Sequence, residues 1–261
     1  MDVIVCIKQV PATTQVKINP VTNTLIREGV ESIINPFDLY AIEEGVRLKE
    51  KFGGKATVIS MGPPQAEAAL REAISLGVDE AILLSDRNFG GSDTLATSYT
   101  LARAIKRIGE FDLVICGKQA IDGDTAQVGP GIAEELKLPC VTYVKKISEV
   151  KDGKMVVERM METGWQIVEM ELPGIITVVK EINEPRLPSL RGKMRARKAE
   201  ILIWNASDLA CEMDRIGQPG SPTVVKRIFA PPQKPAGKIL QGDIDAVSQE
   251  LADELKRLGI I

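Results

Sequence analysis

Short runs of β-branched residues alternate with amphipathic stretches from residue 3 to about residue 180, and this alternation constrains the fold more than any other feature. Strands are predicted at residues 3–7, 56–60, 81–84 and 111–116, and helices at residues 36–52 and 65–76, after Asp93, and up to about residue 138. Strands that alternate with helices pair in parallel between helical layers. The sequence therefore predicts an α/β fold, with an open, mostly parallel sheet, helices on both faces and a flavodoxin-like winding.

The pattern changes beyond residue 138. Residues 141–150, 154–160 and 166–171 are strand-like, and Lys151-Asp152-Gly153 has the composition of a tight hairpin turn. These runs predict an antiparallel extension of the sheet, and the β-branched run at residues 174–180 completes the α/β domain. We therefore divide the chain into an α/β domain at residues 1–182, a short segment at residues 183–200 and a C-terminal arm at residues 201–261.

The arm has two unlike parts. Residues 207–242 are rich in proline and glycine and contain too few apolar residues to bury a core of their own. From Asp243 an amphipathic helix is predicted, and one face of it carries Ile244, Val247, Leu251, Leu255 and Leu258. Such a face requires a docking surface, either on this chain or on a partner.

Charge and hydropathy exclude several functions. The formal net charge is −3, and no apolar run approaches the ~20 residues that cross a bilayer, so neither nucleic-acid binding nor a membrane span is expected. The first residues enter a strand pattern with no basic stretch before it and no cleavage site after it, which is untypical of a signal peptide. We expect a cytoplasmic protein.

Cysteine and histidine usage limits the chemistry. The four cysteines, Cys6, Cys116, Cys140 and Cys211, form no C-x-x-C pair, so no zinc or iron–sulfur ligand set is predicted. The chain has no histidine, which excludes the histidine-dependent nucleophile systems. We therefore expect no catalytic side chain in this protein, and any redox chemistry must come from a cofactor.

The strongest local chemical signal is the segment from Gly117 to Pro130, between a predicted strand and a predicted helix. Open α/β sheets bind ligands at the carboxyl ends of their strands. Asp124 is expected to cap the helix, so that the N–H groups of Thr125, Ala126 and Gln127 face an anion, and Gly123 allows close approach of the backbone. The segment lacks both the Walker A and the G-x-G-x-x-G patterns, so a plain capped connection also stays open.

Several segments, in order, resemble the beta subunits of electron-transferring flavoproteins. The nucleotide segment K-Q-A-I-D-G-D-T-A-Q-V-G-P is one, and the others are V-I-V-C-I-K-Q-V-P, I-I-N-P-F-D-L-Y-A-I-E-E-G-V-R-L-K, V-I-S-M-G-P-P and V-K-E-I-N-E-P-R-L-P-S-L. Because the similarity spans nearly the whole chain, it implies an adenine-nucleotide-binding α/β domain, an alpha-subunit partner and an arm that docks on that partner.

The resemblance also implies which residues surround the nucleotide. They follow the first, second and fourth strands or begin the first helix, and they are Cys6, Asn35, Pro36, Phe37, Asp38, Met61, Gly117, Lys118, Gln119, Ala120, Ile121, Asp122, Gly123, Asp124, Thr125, Ala126, Gln127 and Val128.

Residues 183–200 are strongly basic, with Arg186, Arg191, Lys193, Arg195, Arg197 and Lys198. No aromatic residue interleaves with these charges, which disfavours nucleic acid, whereas a solvated basic face stays open. The resemblance implies a recognition loop that docks on acyl-CoA dehydrogenases or related flavoenzymes, with Leu190 as anchor beside Leu187, Arg191 and Met194. The sequence R-G-K-M after the anchor departs from the usual family pattern and leaves the identity of that partner open.

Two versions of the family differ in the nucleotide of this subunit, which is either a structural AMP or a second FAD. The stretches D-G-D-T-A-Q-V-G-P and S-L-R-G-K-M-R-A-R-K-A-E resemble the electron-bifurcating type of anaerobes, which implies FAD. In that type NADH gives hydride to the flavin. One electron then reaches a dehydrogenase through the FAD of the alpha subunit, and the other reduces ferredoxin or flavodoxin.

Two alternatives belong to other classes. A nucleotide-binding module of the universal-stress type could share the sheet, but it needs neither the basic segment nor the arm. A solitary NAD dehydrogenase would need a glycine fingerprint and a catalytic acid, and the sequence offers neither.

Overall fold

The computed structural model describes residues 1–12, 32–226 and 237–261, and the chain divides into two compact units, residues 1–226 and residues 227–261. The strands are β1 (Val3–Cys6), β2 (Gln9–Pro11), β3 (Ser32–Ile34), β4 (Ala56–Met61), β5 (Glu80–Leu84), β6 (Leu113–Gly117), β7 (Cys140–Lys151), β8 (Lys154–Met161), β9 (Gly164–Glu171), β10 (Gly174–Val178) and β11 (Leu202–Trp204). The helices are α1 (Pro36–Phe52), α2 (Glu67–Leu76), α3 (Thr94–Ile108), α4 (Val128–Leu136), α5 (Leu190–Lys198) and α6 (Ile244–Arg257).

The main sheet of the first unit has nine strands in the order β11-β5-β4-β1-β6-β10-β7-β8-β9. All neighbours from β11 to β7 pair in parallel, and β7, β8 and β9 pair antiparallel. The strands β2 and β3 form a separate antiparallel pair. The predicted α/β fold, with its mostly parallel sheet and antiparallel extension, is confirmed.

Helices cover both faces of the sheet because the central strands are apolar on both sides. Every residue of β1 is buried. One apolar cluster joins the inner faces of α1 and α2 to the sheet, and a second joins those of α3 and α4 to the opposite face. The continuous β-branched runs in the sequence are thus typical of strands that are buried on both faces of the sheet.

The strand order reverses at β1. The chain builds outward from β1 through β4 to β5 on one side and then returns to place β6 on the other side. Ligands of open α/β sheets bind in the crevice that such a reversal opens at the carboxyl ends of the strands. The crevice of this protein therefore lies where β1 and β6 end.

Residues 202–226 differ from the arm that the sequence predicts at residues 201–261. Strand β11 pairs with β5, and Ala206, Leu209 and Ile216 are buried against the sheet and α3. A three-residue strand is too short to show a period, so the pattern gave no sign of it. Residues 227–236, in the middle of the predicted arm, lie outside the described residues.

The second unit contains α6, the amphipathic helix predicted after Asp243. The Asp243 carboxylate accepts a hydrogen bond from the Ala246 N–H at 3.0 Å and so caps the helix. Across the described residues, no helix is both long and apolar enough to cross a membrane.

Candidate functional site

Asn35 joins the first helix to the predicted nucleotide loop, residues 117–128. It precedes α1 and is buried, and its amide nitrogen donates to Asp38 Oδ1 and to the Gln119 carbonyl, both at 2.9 Å. Its amide oxygen accepts from the Ile121 N–H at 3.0 Å. Asn35 therefore does not use its side chain as an ordinary cap, because all of it is engaged in holding the loop against the helix.

Asp38 lies under the crevice, and no charged group among the described residues is in hydrogen-bonding contact with its carboxylate. Its carboxylate accepts from the Lys8 N–H at 2.7 Å as well as from Asn35. Burial raises the pKa of Asp38 to about 7, although these hydrogen bonds and one from the Gly117 backbone act in the opposite direction. A Cβ at Gly117 would lie 2.2 Å from Asp38 Oδ1, so only glycine fits beside this carboxyl group.

The helix that follows the loop begins later in the chain than predicted. Asp124 does not cap α4, which begins at Val128 after Gln127. The Asp124 backbone has a φ of 51°, its N–H donates to the Ala120 carbonyl at 2.9 Å, and its carboxylate accepts from Gln119 Nε2 at 2.6 Å. An aspartate N-cap needs an extended backbone and a carboxylate free to accept from the helix N–H groups. Asp124 has neither, because the turn gives it a positive φ and Gln119 occupies its carboxylate. Thr125 and Ala126 therefore belong to an irregular loop, and Gln127 takes the N-cap position of α4 without a side-chain cap hydrogen bond.

The charges of the crevice are unevenly paired. Lys8, which the sequence did not single out, places its ammonium 2.6 and 2.7 Å from the two carboxylate oxygens of Asp122. Lys118 lies over two aromatic rings instead, with Nζ 5.8 Å from the centre of Phe37 and 5.4 Å from that of Tyr143. Within the described ranges, Lys118 forms no ion pair. It is thus the cation of the crevice that is left for an anionic ligand.

Two thiols of the crevice floor are unsuited to nucleophilic chemistry. Cys6 and Cys116 are register partners on β1 and β6, and both are buried. The hydrogen bond with Cys6, together with burial, raises the pKa of the Cys116 thiol well above its ordinary value. Burial also raises the pKa of Cys140 to about 11. Cysteine reacts as its thiolate, so Cys116 and Cys140 are held in the unreactive form.

The other residues that the resemblance places around the nucleotide lie at different positions around the crevice. Pro36 and Phe37 begin α1, and Met61 ends β4 beside β1. At the far side of the loop, the Gln127 side-chain oxygen accepts from Thr94 Oγ1 at 2.9 Å, and the Val128 carbonyl accepts from Ser98 Oγ at 3.3 Å. Gly123 and Thr125 are at the exposed rim, with nothing within 4 Å of the position of a Cβ at Gly123.

The basic segment, residues 183–200, contains a helix where the sequence suggested a loop. Helix α5 begins after Ser189, whose hydroxyl accepts from the Gly192 N–H at 2.9 Å. It packs on α2, where Arg71 donates to the Ala196 carbonyl at 2.7 Å and Arg195 donates to the Ile74 and Val78 carbonyls at 2.7 and 2.6 Å. The serine N-cap was the signal that could have predicted this helix.

The four predicted partner residues of this segment lie on the surface. Leu187 is 89% exposed, Leu190 is 78% exposed and Met194 is 55% exposed, and Arg191 is exposed as well. Exposed leucines at such fractions on an anchored helix are typical of a contact surface. The structure does not bring them to the crevice, because α5 packs on α2, whereas the crevice lies at the ends of β1 and β6.

Arg186 fixes the beginning of the basic segment to α1. Its guanidinium contacts Glu43 Oε2 at 2.8 Å and both carboxylate oxygens of Glu50 at 2.7 and 2.9 Å. Burial raises the pKa of Glu43, but hydrogen bonds from Arg186 and Arg47 outweigh burial and hold that pKa below its usual value. Arg186 is therefore a structural residue and not a free charge of the surface.

An open groove of about 520 Å³ lies apart from the crevice, at the sheet edge formed by β5 and β11. It is lined by Asp86, Asn88, Ala206, Ser207, Ala210, Cys211 and Met213. The Asp86 carboxylate is already engaged by the N–H groups of Asn88 and Ala206 at 2.9 and 3.0 Å. This groove holds none of the residues that the sequence assigned to a ligand.

Comparison with known proteins places these features in context. A match to the electron transfer flavoprotein domain covers residues 22–209. The electron transfer flavoprotein subunit beta of Thermoanaerobacterium thermosaccharolyticum is 52% identical over 262 residues, and the caffeyl-CoA reductase-Etf complex subunit CarD of Acetobacterium woodii is 49% identical over 263, each across the whole of both chains. Protein FixA of Azotobacter vinelandii is 51% identical over 244 residues, which cover 91% of this chain and 86% of that protein.

Proposed function

This chain belongs to the electron transfer flavoprotein family, as a beta subunit, and from that premise we propose that it holds FAD in the crevice where β1 and β6 end. The observation that carries the proposal is the three-way contact of Asn35 with Asp38, Gln119 and Ile121. It fixes one wall of the crevice to the loop that resembles the family's nucleotide segment. The alternative nucleotide is AMP, which would share the adenine part of the site.

The groups around the crevice fit a nucleotide. The rim from Asp122 to Thr125 is exposed and carries two carboxylates and a hydroxyl group, so hydroxyl groups of a ribose find acceptors there. Lys118 supplies a cation without a carboxylate partner among the described residues, which suits a phosphate. Asp122 is neutralised by Lys8, so it does not repel an anion. These features support binding of a phosphorylated adenosine compound over binding of a neutral ligand.

The division of labour follows from the residues present. FAD, when bound, supplies the two-electron chemistry, with NADH as the proposed donor. The chain has no histidine, and burial keeps Cys116 and Cys140 as thiols, so its own residues bind and orient the nucleotide.

We propose that the chain works in a heterodimer with an alpha subunit and that the complex bifurcates electrons. One electron would pass to an acyl-CoA-dehydrogenase-like or other flavin dehydrogenase, and the other to ferredoxin or flavodoxin. The name of the Acetobacterium relative, which places it in a complex with caffeyl-CoA reductase, supports a dehydrogenase of this class as partner. The proposed docking residues are Leu187, which precedes α5, and Leu190, Arg191 and Met194 of α5.

The nucleotide content of the heterodimer tests this function directly. The chain is produced with its alpha subunit, the nucleotides are released by denaturation, and FAD and AMP are counted by chromatography. Two FAD per heterodimer is the expected result. One FAD with one AMP would overturn the FAD and bifurcation parts while leaving the family role intact, and a heterodimer without a nucleotide in this subunit would overturn the binding site itself.

The location of the site is tested by Asn35→Ala. Loss of the two hydrogen bonds to the loop is expected to weaken nucleotide binding by about 30-fold, or about 2 kcal/mol. Asn205→Ala is the matched control, because Asn205 also holds a turn through its side chain, at 2.9 Å from the Asp208 N–H, but outside the crevice. Equal nucleotide retention in the two variants would contradict the proposed position.

A further inference from the structure

Tyr143 has an unusual backbone conformation for its place in the fold. Its φ is 60°, in the left-handed region, where a bulky side chain is strained. The other non-glycine residues of this kind in the described ranges are Asp124, Ala126, Lys137, Asp152 and Ala210, which lie in loops, turns or a helix end. Tyr143 lies inside strand β7, so the strain has no turn to explain it.

A β-bulge imposes this conformation. Val141 pairs with Ile176 and Val144 pairs with Val178, so β7 uses three steps where β10 uses two. The Tyr143 N–H donates to Thr177 Oγ1 at 3.1 Å. On its other side Thr177 packs closely against Gly129 of α4, where an added Cβ would lie only 2.5 Å from its Cγ2. The bulge is thus fixed from both sides.

The bulge aims the Tyr143 ring at the crevice. Bulges near functional sites commonly redirect one side chain in this way. The ring lies 5.4 Å from Lys118 Nζ, and the Phe37 ring lies 5.8 Å from it on the first turn of α1. Lys118 itself is tied to β10 through its N–H, 2.9 Å from the Val178 carbonyl. One half-buried ammonium group is therefore held by two rings that come from opposite walls.

Resting on the proposed nucleotide site, we propose that Tyr143 is a positioning residue that holds the Lys118 ammonium toward the phosphate of the bound nucleotide. Aromatic faces attract an ammonium without neutralising it, so the charge stays available to a ligand. A carboxylate at the same place would cancel it. The strained backbone of β7 thus places an aromatic ring, rather than a carboxylate, beside Lys118.

The test measures the affinity of the nucleotide-stripped heterodimer for FAD and for AMP. Tyr143→Phe keeps the ring and is expected to bind like the wild type. Tyr143→Leu removes the π face and is expected to weaken binding about fivefold, and Lys118→Met about 30-fold. If Tyr143 acts through Lys118, then Tyr143→Leu has no further effect in the Lys118→Met background. Lys151→Met, in the exposed hairpin turn, is the matched control for loss of a charge.

Three outcomes would count against the proposal. Wild-type affinity in Tyr143→Leu would overturn it, and so would an unchanged effect of Tyr143→Leu in the Lys118→Met background, because a structural role would persist there. If Tyr143→Leu does not fold, Tyr143→Asn replaces it, since asparagine tolerates the left-handed region, and wild-type affinity in that variant would overturn the proposal equally. Failure of the wild type to bind either nucleotide would instead overturn the proposed function.

Discussion

Among the three buried carboxyl groups of helix α1, the protein treats those of Asp38 and Glu43 in opposite ways. Asp38, at the crevice end, is held by neutral N–H donors, and burial raises its pKa to about 7. Glu43, at the root of the basic segment, is 3% exposed, and the guanidinium groups of Arg186 and Arg47 keep its pKa below the usual value despite burial. The same helix thus supports one site without a fixed counter-charge and one with two.

The difference separates the proposed binding region from a structural one. Around Glu43 the guanidinium groups form ion pairs with carboxylates of the protein itself. The contact of Arg186 with Glu43 and that of Asn183 with Glu44 fix residues 183–186 to α1. In the crevice no cation forms an ion pair with Asp38 among the described residues, and Lys118 rests on aromatic rings. A region that must accept an anionic ligand leaves a positive charge unpaired, whereas a region that must only hold its shape pairs each one.

The largest expected effect concerns the pH dependence of stability at Asp38. The folded state keeps the proton up to about pH 7, whereas the unfolded chain releases it near 3.8, so the free energy of unfolding falls as the pH rises between these values. The total fall is at most about 4 kcal/mol. Urea unfolding at a series of pH values measures it, and Asp38→Asn is expected to remove this slope.

The acid range provides the internal control for that experiment. Glu43 has a lowered pKa, so its contribution is present above the ordinary pKa of a glutamate and is lost as the pH falls. Asp38→Asn should leave this loss at low pH unchanged. A wild-type stability that stays level from about pH 4 to about pH 7 would contradict the contrast between the two carboxyl groups.

A somewhat smaller effect is expected from Arg186→Ala. The substitution leaves Glu43 buried with Arg47 alone, and we expect a loss of about 2 kcal/mol in the free energy of unfolding, below the full value for a buried pair because Arg186 is partly exposed. Arg197→Ala, at an exposed position of α5, is the matched control and should change stability by less than about 0.5 kcal/mol. Similar losses in both variants would mean that Arg186 contributes no more to stability than an exposed arginine of the basic segment.

The smallest effect is expected from Leu190→Ala. Truncating an exposed anchor should weaken docking of the dehydrogenase by about 1 kcal/mol, or about fivefold, without changing nucleotide content. Leu202→Ala, at an exposed leucine of β11, is the control. Steady-state electron delivery at varied dehydrogenase concentration measures the effect, and loss of nucleotide in Leu190→Ala would show that the two regions are not independent.

The sequence predicted the elements of the sheet better than the geometry of the site. Strands buried on both faces leave continuous apolar runs, and Pro36 marks the first turn of α1, so these were predicted from local pattern. Helix α5 was missed because five basic residues obscure its period, although Ser189 was a usable cap signal. Strand β11 is too short to have a period at all.

The site residues that were missed act over long separations. Lys8 reaches Asp122 across 114 positions, and Tyr143 reaches Lys118 through a bulge that depends on β10. No local pattern encodes either contact. Asp124 was assigned as a cap because its residue type suits one, but the turn from Ala120 had already fixed its backbone. Residue type alone thus predicts what a side chain can do and not which of its uses the fold selects.

The position of β10 has a consequence for the order of events during synthesis. Strand β10 is inserted between β6 and β7, both of which precede it along the chain, and the Val178 carbonyl at its end receives the Lys118 N–H. The crevice therefore stays incomplete while β1, α1 and the loop have already left the ribosome, until the whole hairpin extension has emerged as well. Under the proposed function, a nascent chain acquires its nucleotide only after that point, which makes loading a late step of biogenesis.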